Sequence, residues 1–150
     1  MQKENSIDNA LRATWQAVSK MYNEQASKHE STMAMAFVLL KVDKKYGTPS
    51  TSLGPLMGME PTSFSRILKK MEEKGFIYKE KNPNDGRGVL IKLTEFGFEK
   101  RSISKQHVIQ FNEAIKNHIS EEKIKHFFEV TETINNLIND KNIFGINKTQ

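Results

Sequence analysis

Hydrophobic side chains recur every three or four residues in several stretches of this chain, and alternate with polar ones in two shorter stretches. The first spacing is typical of one face of a helix, and strict alternation is typical of a half-buried strand. Together the patterns predict helices at about 8–25, 32–46, 53–57, 61–74 and 95–119, another from 121 onward, and strands at 77–81 and 89–93.

Capping and turn residues mark where several of these helices begin and end. Ser31 or Thr32 caps the second helix, which is apolar on most sides and is therefore expected at the centre of the core. That helix is predicted to stop at Gly47 and to be followed by a turn at 48–50. Pro61 opens the fourth helix at its first position, and Gly75 ends it.

The middle of the chain has the organisation of a DNA-binding motif. Two short helices separated by a turn that contains Gly58 predict a helix-turn-helix, and the hairpin that follows adds a wing. The predicted fold class is mainly α with a small β-hairpin wing, a winged helix-turn-helix flanked by N-terminal and C-terminal helices. The chain is expected to form a single domain over 1–150.

The fourth helix divides its side chains between two faces. Phe64, Ile67, Leu68 and Met71 lie on one face at helical spacing. The opposite face carries side chains that all donate hydrogen bonds, without an acid before Glu72: Thr62, Ser63, Ser65, Arg66, Lys69 and Lys70. A helix in the major groove needs this division, because hydroxyls and long cations reach bases and phosphates while the apolar face holds the domain. The alternative is a core helix whose solvent-exposed face is basic.

The predicted hairpin ends in a polar tip. Arg87 lies between Gly86 and Gly88, so no neighbouring side chain blocks its approach to a narrow groove. Arginine in a minor groove gains from the concentrated negative potential there. Asp85 either pairs with Arg87 and fixes its direction or makes an Asx-type turn, and both roles are compatible.

Charge and composition narrow the function classes. The formal net charge is +5, and residues 61–94 carry eight Lys and Arg against four Asp and Glu. The chain has no cysteine, which excludes disulfides, thiolate zinc sites and thiol-based redox sensing. The four histidines lack ligand spacing, and no catalytic motif is present, so we expect no metal, no cofactor and no enzymatic activity. A polar N-terminus and the lack of a long apolar run predict a cytoplasmic protein without membrane contact.

A longer motif gives the clearest resemblance. The run Asp85-Gly86-Arg87-Gly88-Val89-Leu90-Ile91-Lys92-Leu93-Thr94-Glu95-Phe96-Gly97 fits the D-x-R-x5-L-T-x2-G signature of the MarR family. Residues 62–77 resemble that family's recognition helix and the start of its wing. By the order and length of the flanking helices, the likeness extends from about 7 to about 140.

The resemblance implies a two-fold symmetric homodimer on palindromic double-stranded DNA. The winged lobe would span about 31–99, and dimerisation helices about 7–30 and 100–142. Ser63, Ser65, Arg66 and Lys69 or Lys70 would face the major groove, and Arg87 the minor groove. Independently, the aromatic and branched side chains at both ends of the chain need a partner surface, although they could also fold back into a monomeric core.

Two further expectations concern ligands and partners. Many members of this family release DNA when a small aromatic or lipophilic molecule binds, and the candidate ligand-binding residues here are Trp15, Tyr22, Met33 and Met57. Such residues at helical spacing also occur as plain core. The function is therefore predicted to be transcription regulation, as a repressor. The alternative is a winged-helix interaction module that binds an acidic partner protein rather than DNA.

Overall fold

A computed structural model describes residues 5–145 of the chain. The part of the predicted polar tail beyond Gly145 lies outside the described residues. The elements in chain order are α1 (Ile7–Ser27), α2 (Met33–Lys41), β1 (Thr48–Pro49), α3 (Ser50–Met57), α4 (Pro61–Glu73), β2 (Ile77–Lys81), β3 (Val89–Leu93), α5 (Glu95–His118) and α6 (Glu121–Asn139). The predicted fold class, mainly helical with a small antiparallel wing, is confirmed.

The chain divides into two compact units. The first runs from Met1–Val108 and contains α1 through α4, the sheet and the first half of α5. The second runs from Ile109–Gln150 and contains the rest of α5 together with α6. Among the described residues of the second unit none is buried, whereas the first unit contains a continuous apolar core.

The core of the first unit joins α2, the helix-turn-helix and the wing. α2 contributes Val38 and Leu39 at its centre, as its apolar sequence predicted, and both side chains are almost fully buried. The remaining members of the cluster are Met35, Val42, Leu53, Phe64, Leu68, Met71, Phe76, Ile77, Ile91 and Leu93. Because α4 and both wing strands supply side chains to one cluster, α4 and the wing are held in a fixed relation.

The sheet has three strands in the order β1-β3-β2, all antiparallel. β2 and β3 form the predicted hairpin, with Ile77 opposite Leu93 and Lys81 opposite Val89. β1 pairs Thr48 with Ile91, although the sequence predicted a turn at 48–50. The prediction was wrong because two residues are too few to show an alternating pattern.

A second difference from the sequence prediction lies at the end of α2. The helix stops at Lys41 rather than continuing to Tyr46, since Val42 already has extended geometry. The Asp43 carboxylate accepts hydrogen bonds from the backbone N–H groups of Lys45 and Tyr46, at 2.9 and 2.7 Å. These bonds, led by the one from Tyr46, hold the pKa of Asp43 below its ordinary value. An Asx-type turn therefore competes successfully with continued helix.

α3 also begins earlier than predicted, at Ser50 rather than Leu53. A helix that began at Leu53 would have Ser52 as its cap and Pro55 in its first turn, but Ser52 lies inside the helix and Pro55 lies beyond the first turn. The helix ends at Gly58, whose φ of 61° is left-handed, as expected of a glycine stop. α4 then begins at Pro61, as predicted, and its terminal Gly75 has a φ of 76°.

Candidate nucleic-acid interface

The recognition helix α4 has the predicted two faces. Phe64, Leu68 and Met71 are buried in the core and Ile67 is half-buried. The predicted DNA-contacting side chains on the other face are all exposed: Thr62, Ser63, Ser65, Arg66, Lys69 and Lys70. The sequence pattern therefore placed each of these six side chains on the correct side of the helix.

The cations on this face are available to bind an anion. Within residues 5–145, the ion pairs join Arg12 to Asp8 and Lys92 to Glu80, and none involves Arg66, Lys69 or Lys70. The first turn of α4 also has no acidic side chain. Because no carboxylate neutralises it, the exposed face of α4 has a local excess of positive charge.

Thr94 and Gly97 connect the base of the wing to the end of α4. The Thr94 hydroxyl donates to the carbonyl oxygens of Gly75 and Phe76, and it accepts the N–H of Gly97 at 2.9 Å. A Cβ atom at Gly97 would overlap the Phe76 carbonyl oxygen, so only glycine fits there. This arrangement explains the L-T-x2-G part of the signature physically, since Thr94 and Gly97 fix the recognition helix relative to α5.

The wing tip is a closed loop held by its own hydrogen bonds. The backbone of Asn82 donates to Gly88 and that of Gly88 to Asp85, each at 3.0 Å. The Asp85 carboxylate accepts the backbone N–H of Arg87 at 3.0 Å, which is the Asx-type turn that the sequence allowed. No ion pair joins Asp85 to the Arg87 guanidinium in the part of the chain that the structure describes. Asp85 thus shapes the backbone that carries Arg87, and the exposed Arg87 side chain remains available to bind an anion.

One acid on the wing is neutralised locally. Glu80 and Lys92 form a cross-strand ion pair between β2 and β3, which raises the pKa of Lys92. Lys79 and Lys81 are exposed and have no such partner among residues 5–145. The wing therefore presents positive charge beside its tip, on the same unit as the α4 cations.

A separate cavity lies between α1, α2 and the first half of α5. Two of the predicted ligand-binding residues, Tyr22 and Met33, line it, together with His29. The other two do not: Trp15 is 53% exposed on α1, and Met57 packs against the core. The cavity volume is about 20 Å³, which is room for a single water molecule.

Sequence reasoning did not identify most of the cavity wall. Phe37 meets Tyr22 edge to face, with ring centroids 6.2 Å apart. Lys100 and His107 line the opposite side from α5. The signal was available, because the α5 residues that line the cavity are Lys100, Ile103, Ser104, His107 and Val108, a single helical stripe.

Residues 5–145 contain neither a metal-binding cluster nor a membrane-spanning helix. No group of three or more histidine or acidic side chains in this range could hold a metal ion. None of the helices in the same range is long and apolar enough to cross a membrane.

Comparison with known proteins gives matches centred on the winged lobe. Residues 32–89 match the sequence model of the MarR family. SarZ of Staphylococcus haemolyticus, named as a transcriptional regulator, is 29% identical over 87 residues, which is 58% of this chain and 59% of SarZ. The multiple antibiotic resistance protein MarR of Escherichia coli is 30% identical over 82 residues, covering 55% of this chain and 57% of that protein. The alignments thus span somewhat more than half the length of these relatives.

Solved structures match over a larger part of the chain. The PcaV transcriptional regulator of Streptomyces coelicolor, in complex with its natural ligand, superposes with a TM-score of 0.76 at 18% identity. The superposition covers 91% of this chain and 96% of PcaV, and shows that the two share a fold. Taken with the match of residues 32–89 to the family model and with the wing signature, it confirms the predicted resemblance of this chain to the MarR family.

Proposed function

We propose that this protein is a transcription regulator that binds double-stranded DNA sequence-specifically, as a homodimer on a palindromic operator, and represses by covering a promoter. The observation that carries the proposal is the exposed face of α4, which combines hydroxyls with unneutralised cations above a buried apolar face. Similarity to SarZ, which is named as a transcriptional regulator, supports the same function.

Each predicted contact residue has a role in this proposal. Ser63, Ser65 and Arg66 read base edges in the major groove, because the N-terminal part of a recognition helix lies nearest the bases. Thr62, Lys69 and Lys70 bind phosphates. Asp85 holds the wing tip in shape so that Arg87 enters the adjacent minor groove.

The homodimer is proposed because the second unit exposes large apolar side chains. On α6, Phe127 is 57% exposed and Phe128 61%. Val130, Leu137 and Ile138 on the same helix are also exposed. A helix with this much apolar surface is stabilised by a partner, and two-fold pairing of identical chains is the commonest way to provide one.

A small aromatic or lipophilic molecule is proposed to release the DNA by binding in the cavity beside Tyr22 and Met33. PcaV, which shares the fold, was solved with its natural ligand. The cavity of this chain is too small for such a molecule as it stands, so binding would separate α1, α2 and α5. That separation would act on α2, which packs against α4 in the core.

The alternative function, an interaction module for an acidic protein, is not favoured. The proteins that this chain resembles are named as transcription regulators, and the wing tip is shaped to present an arginine to a narrow groove. A regulator of this kind acts in the cytoplasm and catalyses no reaction, which completes the proposal.

The proposal is tested by fluorescence anisotropy with a labelled fragment from the region upstream of the gene. We expect the logarithm of the affinity to fall linearly with the logarithm of the salt concentration, because phosphate contacts release counterions. Arg66→Ala should lose about 1–3 kcal/mol of binding free energy and relax the sequence preference. Arg87→Ala should lose a similar amount of binding free energy. Lys69→Ala should weaken binding to all sequences and reduce the salt slope by about one.

Lys125→Ala is the matched control, because Lys125 is an exposed lysine on α6, outside the proposed interface. This variant should leave both the affinity and the salt slope unchanged. An affinity that did not depend on salt concentration and was unchanged in Arg66→Ala and Arg87→Ala would contradict the proposal. A chain that failed to bind the fragment but bound an acidic protein through α4 would establish the alternative.

A further inference from the structure

Two histidines meet at the cavity of the first unit. His29 follows α1 and His107 lies on α5, and their ring centroids are 5.6 Å apart with an angle of 43° between the planes. The Lys100 ammonium group donates a hydrogen bond to the His29 carbonyl oxygen at 2.7 Å. All three residues line the same cavity.

None of the described groups that face His107 carries a negative charge that would favour its protonation. From α1 and the turn that follows it come Tyr22, Lys28 and His29, and from α5 comes Lys100. α2 contributes only apolar side chains to the wall, and no described carboxylate lines it. Burial, followed by the proximity of His29 and Lys28, lowers the pKa of His107. A proton added to His107 would place a further positive charge in the cavity that Lys100 also lines.

Lys100 also connects the cavity to the DNA-binding elements. Its ammonium nitrogen lies 5.8 Å from the centroid of the Phe76 ring and 5.1 Å from that of Phe96. Phe76 comes directly after the recognition helix and is almost fully buried in the core. The two rings are 5.4 Å apart, so one cation bridges the turn after α1 and the junction between α4 and the wing.

We infer that His107, which packs against His29, is an acid-sensitive switch: its protonation separates α5 from the turn after α1 and weakens DNA binding through Lys100. The expected effect on DNA binding rests on the proposed function, but the expected effect of protonation on stability does not. His107 has a lowered pKa in the folded state, so the unfolded chain binds more protons in the mildly acidic range. Stability is therefore complete above the unfolded pKa of about 6.5 and is lost as pH falls below it.

The test compares DNA affinity at about pH 8 and about pH 5.5 at constant salt, for the wild type, His107→Gln and His126→Gln. His126 is exposed on α6 and serves as the matched control, because its substitution makes the same change from histidine to glutamine on another helix. The wild type and His126→Gln should lose about tenfold in affinity on acidification, which is a coupling between protonation and DNA binding of ordinary size. His107→Gln should lose less than about twofold, because glutamine takes up no proton in this range.

A second measurement is independent of DNA. The midpoint of urea unfolding, followed from about pH 8 to pH 5.5, should fall in the wild type and remain nearly constant in His107→Gln. Failure of every variant to bind DNA at about pH 8 would refute the proposed function, while the unfolding series would still decide the switch. Parallel pH dependence in the wild type and His107→Gln would overturn the inference. His107→Asn provides the second variant if His107→Gln folds poorly, and it should show the same loss of pH dependence.

Discussion

Replacing Glu30 with glycine is expected to raise the free energy of unfolding. Glu30 ends α1 with a φ of 59°, the left-handed conformation that a Cβ atom makes unfavourable. Its N–H donates to Ser27 and that of Ser31 to Ala26, which is the Schellman arrangement of a helix end. The same arrangement after α4 places Gly75 at the equivalent position. Glycine would remove the steric cost at Glu30 while keeping both hydrogen bonds.

The magnitude follows from two opposing terms. A left-handed residue with a Cβ atom costs about 1–2 kcal/mol relative to glycine. Glycine in turn loses about 0.5–1 kcal/mol more backbone entropy on folding. The net gain is about 0.5–1 kcal/mol, which for a chain of this size raises Tm by about 1–4 °C. The Glu30 side chain is exposed, so little packing is lost.

Urea denaturation at fixed protein concentration measures this gain, because a dimer would otherwise make the midpoint depend on concentration. Glu30→Ala is the matched control, since it removes the same carboxylate but keeps the Cβ atom, and it should not stabilise. Equal stabilisation by Glu30→Ala and Glu30→Gly would contradict a steric cost at Glu30 and assign the effect to the carboxylate.

Three further substitutions test the site and the core. Gly97→Ala should cost several kcal/mol in thermal or urea unfolding, because the added methyl group overlaps the Phe76 carbonyl; a loss below about 1 kcal/mol would contradict this contact. Asp85→Asn should keep DNA affinity while Asp85→Ala lowers it about fivefold, since asparagine can still accept the Arg87 N–H and alanine cannot; equal losses in a gel shift would instead indicate a role for the charge. Leu53→Ala should cost about 2–5 kcal/mol in unfolding, and a near-neutral result would contradict its complete burial.

The elements with strong local signals were predictable from the sequence. The recognition helix begins at Pro61 and both wing strands have their predicted bounds, because proline, glycine and alternation mark them directly. The end of α2 was not predictable from periodicity. Apolar spacing continues to Tyr46, but the two backbone hydrogen bonds that the Asp43 carboxylate accepts end the helix earlier. β1 likewise depends on pairing with β3, a contact distant in sequence.

The two candidate sites also differ in how far the sequence alone predicts them. The exposed face of α4 follows from its own helical spacing, so the sequence places it without knowledge of any other element. The cavity depends on which helices meet, and Tyr22 and Met33 reach it whereas Trp15 and Met57 do not. Lys100 could not be recognised as a connecting residue, because its partners are the His29 carbonyl and two aromatic rings elsewhere in the chain.

Footprinting on the region upstream of the gene shows whether α4 reads bases, because dimethyl sulfate reports guanines that are accessible in the major groove. We expect two protected blocks with centres about one helical turn, or a multiple of it, apart, each containing protected guanines. Arg66→Ala should lose that guanine protection, and Lys125→Ala should keep it. A footprint without guanine protection, or one that Arg66→Ala leaves unchanged, would contradict the reading of bases by the exposed face of α4.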